Sequence, residues 1–231
     1  AQTIKLTGID NHKMNSSKTT YSKTYNQSGI ELSTDSLSYE IEDEAGNKTT
    51  CNKAVNVYYD TKKPVITNVS NPTNGNWVNR DFKVTLTATE NGSGITKEQY
   101  SYQSNTGWVT DTATINGNTV ITDTFSAERN QLAYIRVCDQ VGNCSDQVST
   151  WVRIDKTAPV ITSVSNPTGG NWVNYNFQVT LTATENGSGI SEEQYSYQSN
   201  TGWMTDGATI NGNTVITDTF SAERNQLAYI R

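Results

Sequence analysis

The stretch VCDQVGNC, residues 137–144, places Cys138 and Cys144 on either side of an Asp, a Gly and an Asn. That spacing suits a metal site, a redox pair or a stapled turn, and the residues around it must decide. Chemistry elsewhere is sparse. Cys51 has no obvious partner, and the one histidine, His12, sits in a polar stretch, so the parts for a zinc site or for imidazole catalysis are few. There is no Gly-x-Ser-x-Gly elbow, no phosphate-cradling glycine loop and no His-based zinc motif. Nothing singles out a carboxylate pair with the separation that glycoside hydrolysis needs. The chain is expected not to be an enzyme.

Composition narrows the class further. The chain has 231 residues, 33% of them hydrophobic, and a mean hydropathy of -0.64, which suits thin cores under much polar surface. Seventeen Lys and Arg against 23 Asp and Glu leave a net charge of -6 with no basic block, so a nucleic-acid partner is not expected. No apolar run reaches the length of about 18 residues that spans a bilayer, and the residues after Ala1 do not read as a signal peptide. The segment is therefore expected to be soluble, with no membrane insertion of its own.

The elements that must carry these residues emerge from self-comparison. Shifting the chain by 95 positions lays residues 64–136 on residues 159–231 with nine mismatches in 73 positions. A period of that length is too long for a solenoid and about the size of one sandwich domain. Within it Phe82, Val84, Leu86 and Ala88 alternate with Lys83, Thr85, Thr87 and Thr89, a strand with one face inward and one in water. Tyr100 and Tyr102 alternate likewise, as do Leu132, Tyr134 and Arg136. Turn signals at Asn91-Gly92, Asn116-Gly117 and Gly142-Asn143 divide these runs, so about seven short strands are expected per copy.

A weaker third copy precedes the two. TIKLTGIDN reads like VTLTATEN, with Asp10 in the place of Glu90, and YEIEDEAGNK matches IRVCDQVGNC at a shift of 96. The joints DTKKP and DKTAP separate three expected domains, 1–60, 61–155 and 156–231, with the proline fixing φ and the linker too short to flop. The first and third copies are incomplete in complementary ways. The expectation is a window onto a longer array; the sharper alternative is that a neighbouring molecule supplies the missing strands.

These joints, the ENGSGI loop followed by Tyr100 and Trp108, and the Asp-x-x-Gly-Asn loops of DEAGN and DQVGN resemble bacterial immunoglobulin-like repeats of large secreted or cell-surface proteins. The resemblance covers nearly the whole chain and is poorest over residues 11–35. It implies an all-β fold of tandem immunoglobulin-like β-sandwiches and a role as stalk or spacer, an analogy of fold and not of site.

Aligned copies also weigh the candidate sites. Where the second copy has Cys138 and Cys144, the first has Glu42 and Lys48, opposite charges able to face each other across a hairpin. A disulfide is therefore expected, which would place the chain in an oxidising, extracellular setting; a free thiol pair and metal ligation are the alternatives. Calcium has hard-oxygen candidates in Glu90, Asp139 and Asn143, with Asp60 and Asp155 at the joints, although both loops also read as plain turns. Trp77, Trp108, Trp172 and Trp203 could stack on a sugar ring, yet in a chain poor in Leu and Phe they are expected mainly as core fillers. Tyr134 suits a tyrosine corner. Lys83 as an isopeptide donor fails in the third copy, where Gln178 replaces it. The function expected is a structural extracellular stalk whose partners are neighbouring domains of the same array. The alternative is an adhesin or carbohydrate-binding module that meets a host or cell-surface glycan or protein.

Overall fold

The computed structural model describes residues 2–9, 20–25, 32–205 and 207–231. Asp10 and His12 lie outside them. Among the described residues there is no helix; nineteen strands form six antiparallel sheets. The chain divides into two compact units, Ala1–Pro72 with Lys83–Asp123 and Ala133–Thr150, and Thr73–Phe82 with Thr124–Leu132 and Trp151–Arg231.

In the first unit β1 (Gln2–Thr7) pairs with β2 (Thr20–Tyr25), and β3 (Leu32–Glu42) pairs with β4 (Lys48–Tyr58) over eleven residues. These two hairpins meet through Tyr21 stacked on Tyr39, ring centroids 5.1 Å apart, and through Lys23 donating to Asp35 at 2.5 Å. Among the described residues of these hairpins the buried hydrophobics are Leu37 and Val57.

A four-stranded sheet follows, ordered β5 (Val65–Ser70), β6 (Thr85–Thr89), β10 (Thr119–Ile121), β9 (Thr114–Asn116). A second sheet is ordered β12 (Val148–Ile154), β11 (Arg129–Asp139), β7 (Ile95–Ser101), β8 (Val109–Thr110). The alternation expected from the sequence is present: Val84, Leu86 and Ala88 have no exposed surface, Phe82 is nearly covered, and the Lys and Thr between them face outward or are half-covered. On β11 Ala133, Ile135 and Val137 are buried, as are Cys138 and Asp139 at its end, while Leu132, Tyr134 and Arg136 between them are half-covered and face the other side. Each sheet hides one face and wets the other, as the layers of a β-sandwich must.

The second unit repeats this pattern. β13 (Val160–Ser165), β14 (Thr180–Thr184), β18 (Thr214–Ile216) and β17 (Thr209–Asn211) form one sheet, while β16 (Met204–Thr205), β15 (Gln194–Ser196) and β19 (Tyr229–Ile230) form another. The register irregularity between Ile66 and Asn68 recurs between Ile161 and Ser163, 95 positions on. The core here is Val179, Leu181 and Val215, with Phe177, Phe220 and Ile230 packed against it.

The aromatic expectation is corrected. Among the described residues no Trp or Tyr is in the buried core, which is made of Val, Leu, Ile, Ala and Phe with Cys138. Between layers about 10 Å apart a short branched side chain from each sheet fills the gap, so a strand rich in Val and Thr does not require an indole inside.

Candidate functional site

Three small devices hold the ends of these strands. The first is the Asp-x-x-Gly-Asn turn. Asp139 Oδ1 accepts the backbone N–H groups of Val141, Gly142 and Asn143 at 3.0, 2.7 and 2.8 Å, and Oδ2 accepts Asn143 Nδ2 at 2.7 Å. The backbone closes with Asp139 N–H donating to the Asn143 carbonyl at 3.0 Å, and Gly142 takes φ +98°, which an L side chain resists. Asp43 and Asn47 form the same turn in the first hairpin, with Oδ1 accepting Asn47 N–H at 2.8 Å, Oδ2 accepting Asn47 Nδ2 at 2.7 Å, and Gly46 at φ +87°. The Asn47 amide and backbone hold the Asp43 carboxyl below its usual range.

The second device ties the strands that leave each turn. Cys138 and Cys144 lie directly opposite one another, Cα atoms 4.1 Å apart, and form a disulfide. Backbone bonds from Asp139 to Asn143 and from Ser145 to Val137 flank the pair, so the two cysteines occupy a non-hydrogen-bonded position, where cross-strand side chains come closest. In the first hairpin Glu42 is opposite Lys48, whose Nζ lies 3.8 Å from Glu42 and 3.1 Å from Glu40. Cys51 is exposed and carries no disulfide.

The third device is a clamp between a joint aspartate and the ENGSGI loop. Asp60 Oδ2 accepts Ser93 N–H at 2.8 Å and Ser93 Oγ at 2.7 Å, and Oδ1 accepts Lys62 N–H at 3.0 Å. Burial opposes charge on Asp60, but the Ser93 hydroxyl and amide and the Lys62 amide outweigh it and keep the carboxyl below its usual range. Asn143 Nδ2 also reaches the Asp60 carbonyl at 3.4 Å. Ninety-five positions on, Asp155 Oδ2 accepts Ser188 N–H at 2.7 Å and Oδ1 accepts Thr157 N–H at 3.1 Å, and Ser188 holds that carboxyl low in turn. Gly92 and Gly187 are glycines because of these carboxylates: a Cβ on Gly92 would lie 2.6 Å from Asp60 Oδ2, and one on Gly187 would collide with Asp155.

The segment after Asp155 is pinned from its other side. Lys156 N–H donates to Glu128 Oε1 at 2.8 Å, and its Nζ donates to Asp81 Oδ1 at 2.5 Å and to the Ser126 carbonyl at 2.7 Å. Thr157 Oγ1 donates to Glu128 Oε1 at 2.8 Å. Residues 155–157 are thus bonded both to residues 81–128 before them and to Ser188 after them. A cleft of about 480 Å³ opens beside this segment, lined by Trp77, Glu128, Asp155, Val160 and Glu185 among others.

The sequence-derived candidates fall out as follows. Asp139 and Asn143 shape the turn, and Glu90 accepts Gly92 N–H at 2.7 Å within its own loop. Among the described residues no group of three or more His, Cys, Asp or Glu is arranged to hold a metal ion, and Asp60, Asp139 and Asp155 already accept N–H donors. Trp77 is half-buried in the cleft; Trp108 and Trp203 are half-buried beneath Arg136 and Arg231, whose guanidinium carbons lie 4.2 Å from the ring centres. Trp172 is 78% exposed. One cluster escaped the sequence reading: Glu98, 1% exposed, meets Asp111 and Asp123 inside the second copy.

No protein-family model matches the chain, and no curated protein sequence is significantly similar to it.

Proposed function

We propose that the chain is a semi-rigid spacer built of consecutive immunoglobulin-like β-sandwich modules, residues 1–60, 61–155 and 156–231, in a secreted or surface-attached bacterial protein. The observation that carries this reading is the pinned segment 155–157, whose side chains and amides are bonded on both sides. A joint of three residues with its polar groups committed resists bending far more than a solvated linker of the same length. Nearly identical copies suit a part whose length is its function, and their natural partners are neighbouring modules of the same array. The Cys138–Cys144 bridge fits an oxidising exterior.

Spin labels on exposed Thr114→Cys and Thr209→Cys, in a Cys51→Ser background, test the reading through the distance distribution between them. A single narrow distribution that broadens in Asp155→Ala/Lys156→Ala is expected. A broad distribution in the parent would overturn the spacer.

A second reading rests on Trp172, whose 78% exposure leaves an indole free to stack on a sugar or protein surface. In that case the chain is an adhesin or carbohydrate-binding module. Binding on a glycan array that vanishes in Trp172→Ala, with thermal unfolding unchanged, would favour it over the spacer.

A further inference from the structure

The cleft beside residues 155–157 holds about 480 Å³, inside the range of roughly 300–1,000 Å³ in which small-molecule sites fall. Its walls belong to one compact unit and include Trp77, Glu128 and Asn130 from the second copy and Val160, Glu185 and Asn186 from the third. Val160, Thr184, Asn186 and Gly187 are exposed, and so are their counterparts Val65, Thr89, Asn91 and Gly92, around which β11 and β12 are in place. The third-copy wall is therefore as open as the same surface of a copy in which those strands are present.

Part of the polar lining is already used. Both Asp155 oxygens accept N–H groups, from Thr157 and from Ser188. Glu128 Oε1 accepts Lys156 N–H and Thr157 Oγ1, Glu185 Oε1 accepts Gly187 N–H, and Asn130 Oδ1 accepts Arg153 Nε. Among the described residues no partner meets Glu128 Oε2, Asn130 Nδ2, the Asn186 amide or the Trp77 indole N–H. The open groups thus mix acceptors with donors beside the partly covered surface of an indole.

That mixture selects the ligand. A cation has nothing to offer the indole and amide N–H donors, and an anion would face the carboxylates of Glu128, Asp155 and Glu185 with Arg129 as the one cation in the lining. A hydroxyl both donates and accepts, so it satisfies either kind. We propose that the cleft binds a neutral sugar, a mono- or disaccharide unit of a glycan, which packs its C–H surface against Trp77 and bonds its hydroxyls to Glu128 Oε2, Asn130 and Asn186. The site makes no use of Trp172, and it adds a binding activity to the spacer without depending on that reading.

Saturation-transfer NMR on the full chain tests this, with glucose, galactose, N-acetylglucosamine, cellobiose, lactose and chitobiose as probes. At least one of them should receive saturation at its ring C–H protons, with binding that saturates at or below about 10 mM. The same sugar should shift, among the indole N–H signals of the five tryptophans, the one that is missing from Trp77→Ala. Trp77→Ala and Asn186→Ala should each weaken binding about tenfold or more; Asn186 lies in an exposed loop, so thermal unfolding of that variant should match the parent. Trp172→Ala should bind as the parent does. Absence of saturation transfer to every probe at about 50 mM overturns the proposal. Binding that survives both cleft variants and vanishes in Trp172→Ala also overturns it, while leaving the second functional reading in place. A Trp77 signal shifted by spermidine or calcium chloride, and by none of the sugars, would assign the cleft to a cation and overturn it equally.

Discussion

Asp60 Oδ2 receives both the amide and the hydroxyl of Ser93, 33 residues away, and Asp155 meets Ser188 across the same interval one copy later. One carboxylate at each joint thus fixes the end of one copy to the first long loop of the next. Because the bonds to Asp60 are charge-assisted and part-buried, they should count for more than ordinary surface contacts.

Asp60→Ala should lower stability by roughly 1–3 kcal/mol, the range for hydrogen bonds to a charged group. The dependence on pH has a definite sign. The folded carboxyl is held below its ordinary 3.8, so its stabilisation is present above that value and drains away as pH falls through the lower, folded one. Urea unfolding of the parent and of Asp60→Asn, from about pH 6 down to about pH 2.5, should show the two midpoints converging in acid.

Gly92→Ala tests the same clamp from the opposite side. Its Cβ would sit 2.6 Å from Asp60 Oδ2, and overpacking of this kind costs roughly 1–3 kcal/mol. In an Asp60→Ala background the obstacle is gone, so the alanine should be nearly neutral there. A double-mutant cycle by chemical denaturation reads this coupling directly; additive effects would mean that the carboxylate is not what requires glycine.

Reduction separates the two ways of tying the hairpins. The Cys138–Cys144 bridge closes a short loop and should contribute about 2 kcal/mol on the chain-entropy account. The corresponding Lys48 contacts are largely exposed, so Lys48→Ala should cost at most about 1 kcal/mol. Thermal unfolding of Cys138→Ser/Cys144→Ser and of Lys48→Ala, each against the parent, provides the comparison.

The parts of this fold that sequence made legible are those set by local pattern. The alternation from Phe82 to Ala88 dictates a one-sided strand, Gly46 and Gly142 mark turns, and Cys138 opposite Cys144 follows from Glu42 opposite Lys48 in the aligned hairpin. What stayed hidden depends on distance along the chain. Nothing local ties Asp60 to Ser93, and no periodicity shows that Trp108 lies half-covered under Arg136 instead of filling the core. Glu98 was least legible of all, since a glutamate in KEQYSY ordinarily faces water.

That glutamate supports the last prediction. Glu98 is 1% exposed, neither of its oxygens nor Asp111 Oδ1 meets an N–H or O–H donor from another residue, and its carboxyl is placed to bond Asp111. Two acceptors satisfy each other only with a proton between them. Burial, then the bond to Asp111, then the charges of Asp111 and Asp123 push the Glu98 carboxyl up from 4.5 to about 9. Between those values the folded chain holds a proton that the unfolded chain has released. Stability from this group is therefore full below the unfolded value and falls as pH rises, by about 1.4 kcal/mol per pH unit at most. Glu98→Gln keeps a donor for Asp111 and carries no charge, so it should flatten that slope and exceed the parent in stability above neutral pH. Urea unfolding of both proteins at about pH 5, 7 and 9 measures the slopes, and parallel lines would show that Glu98 is not the group holding the proton.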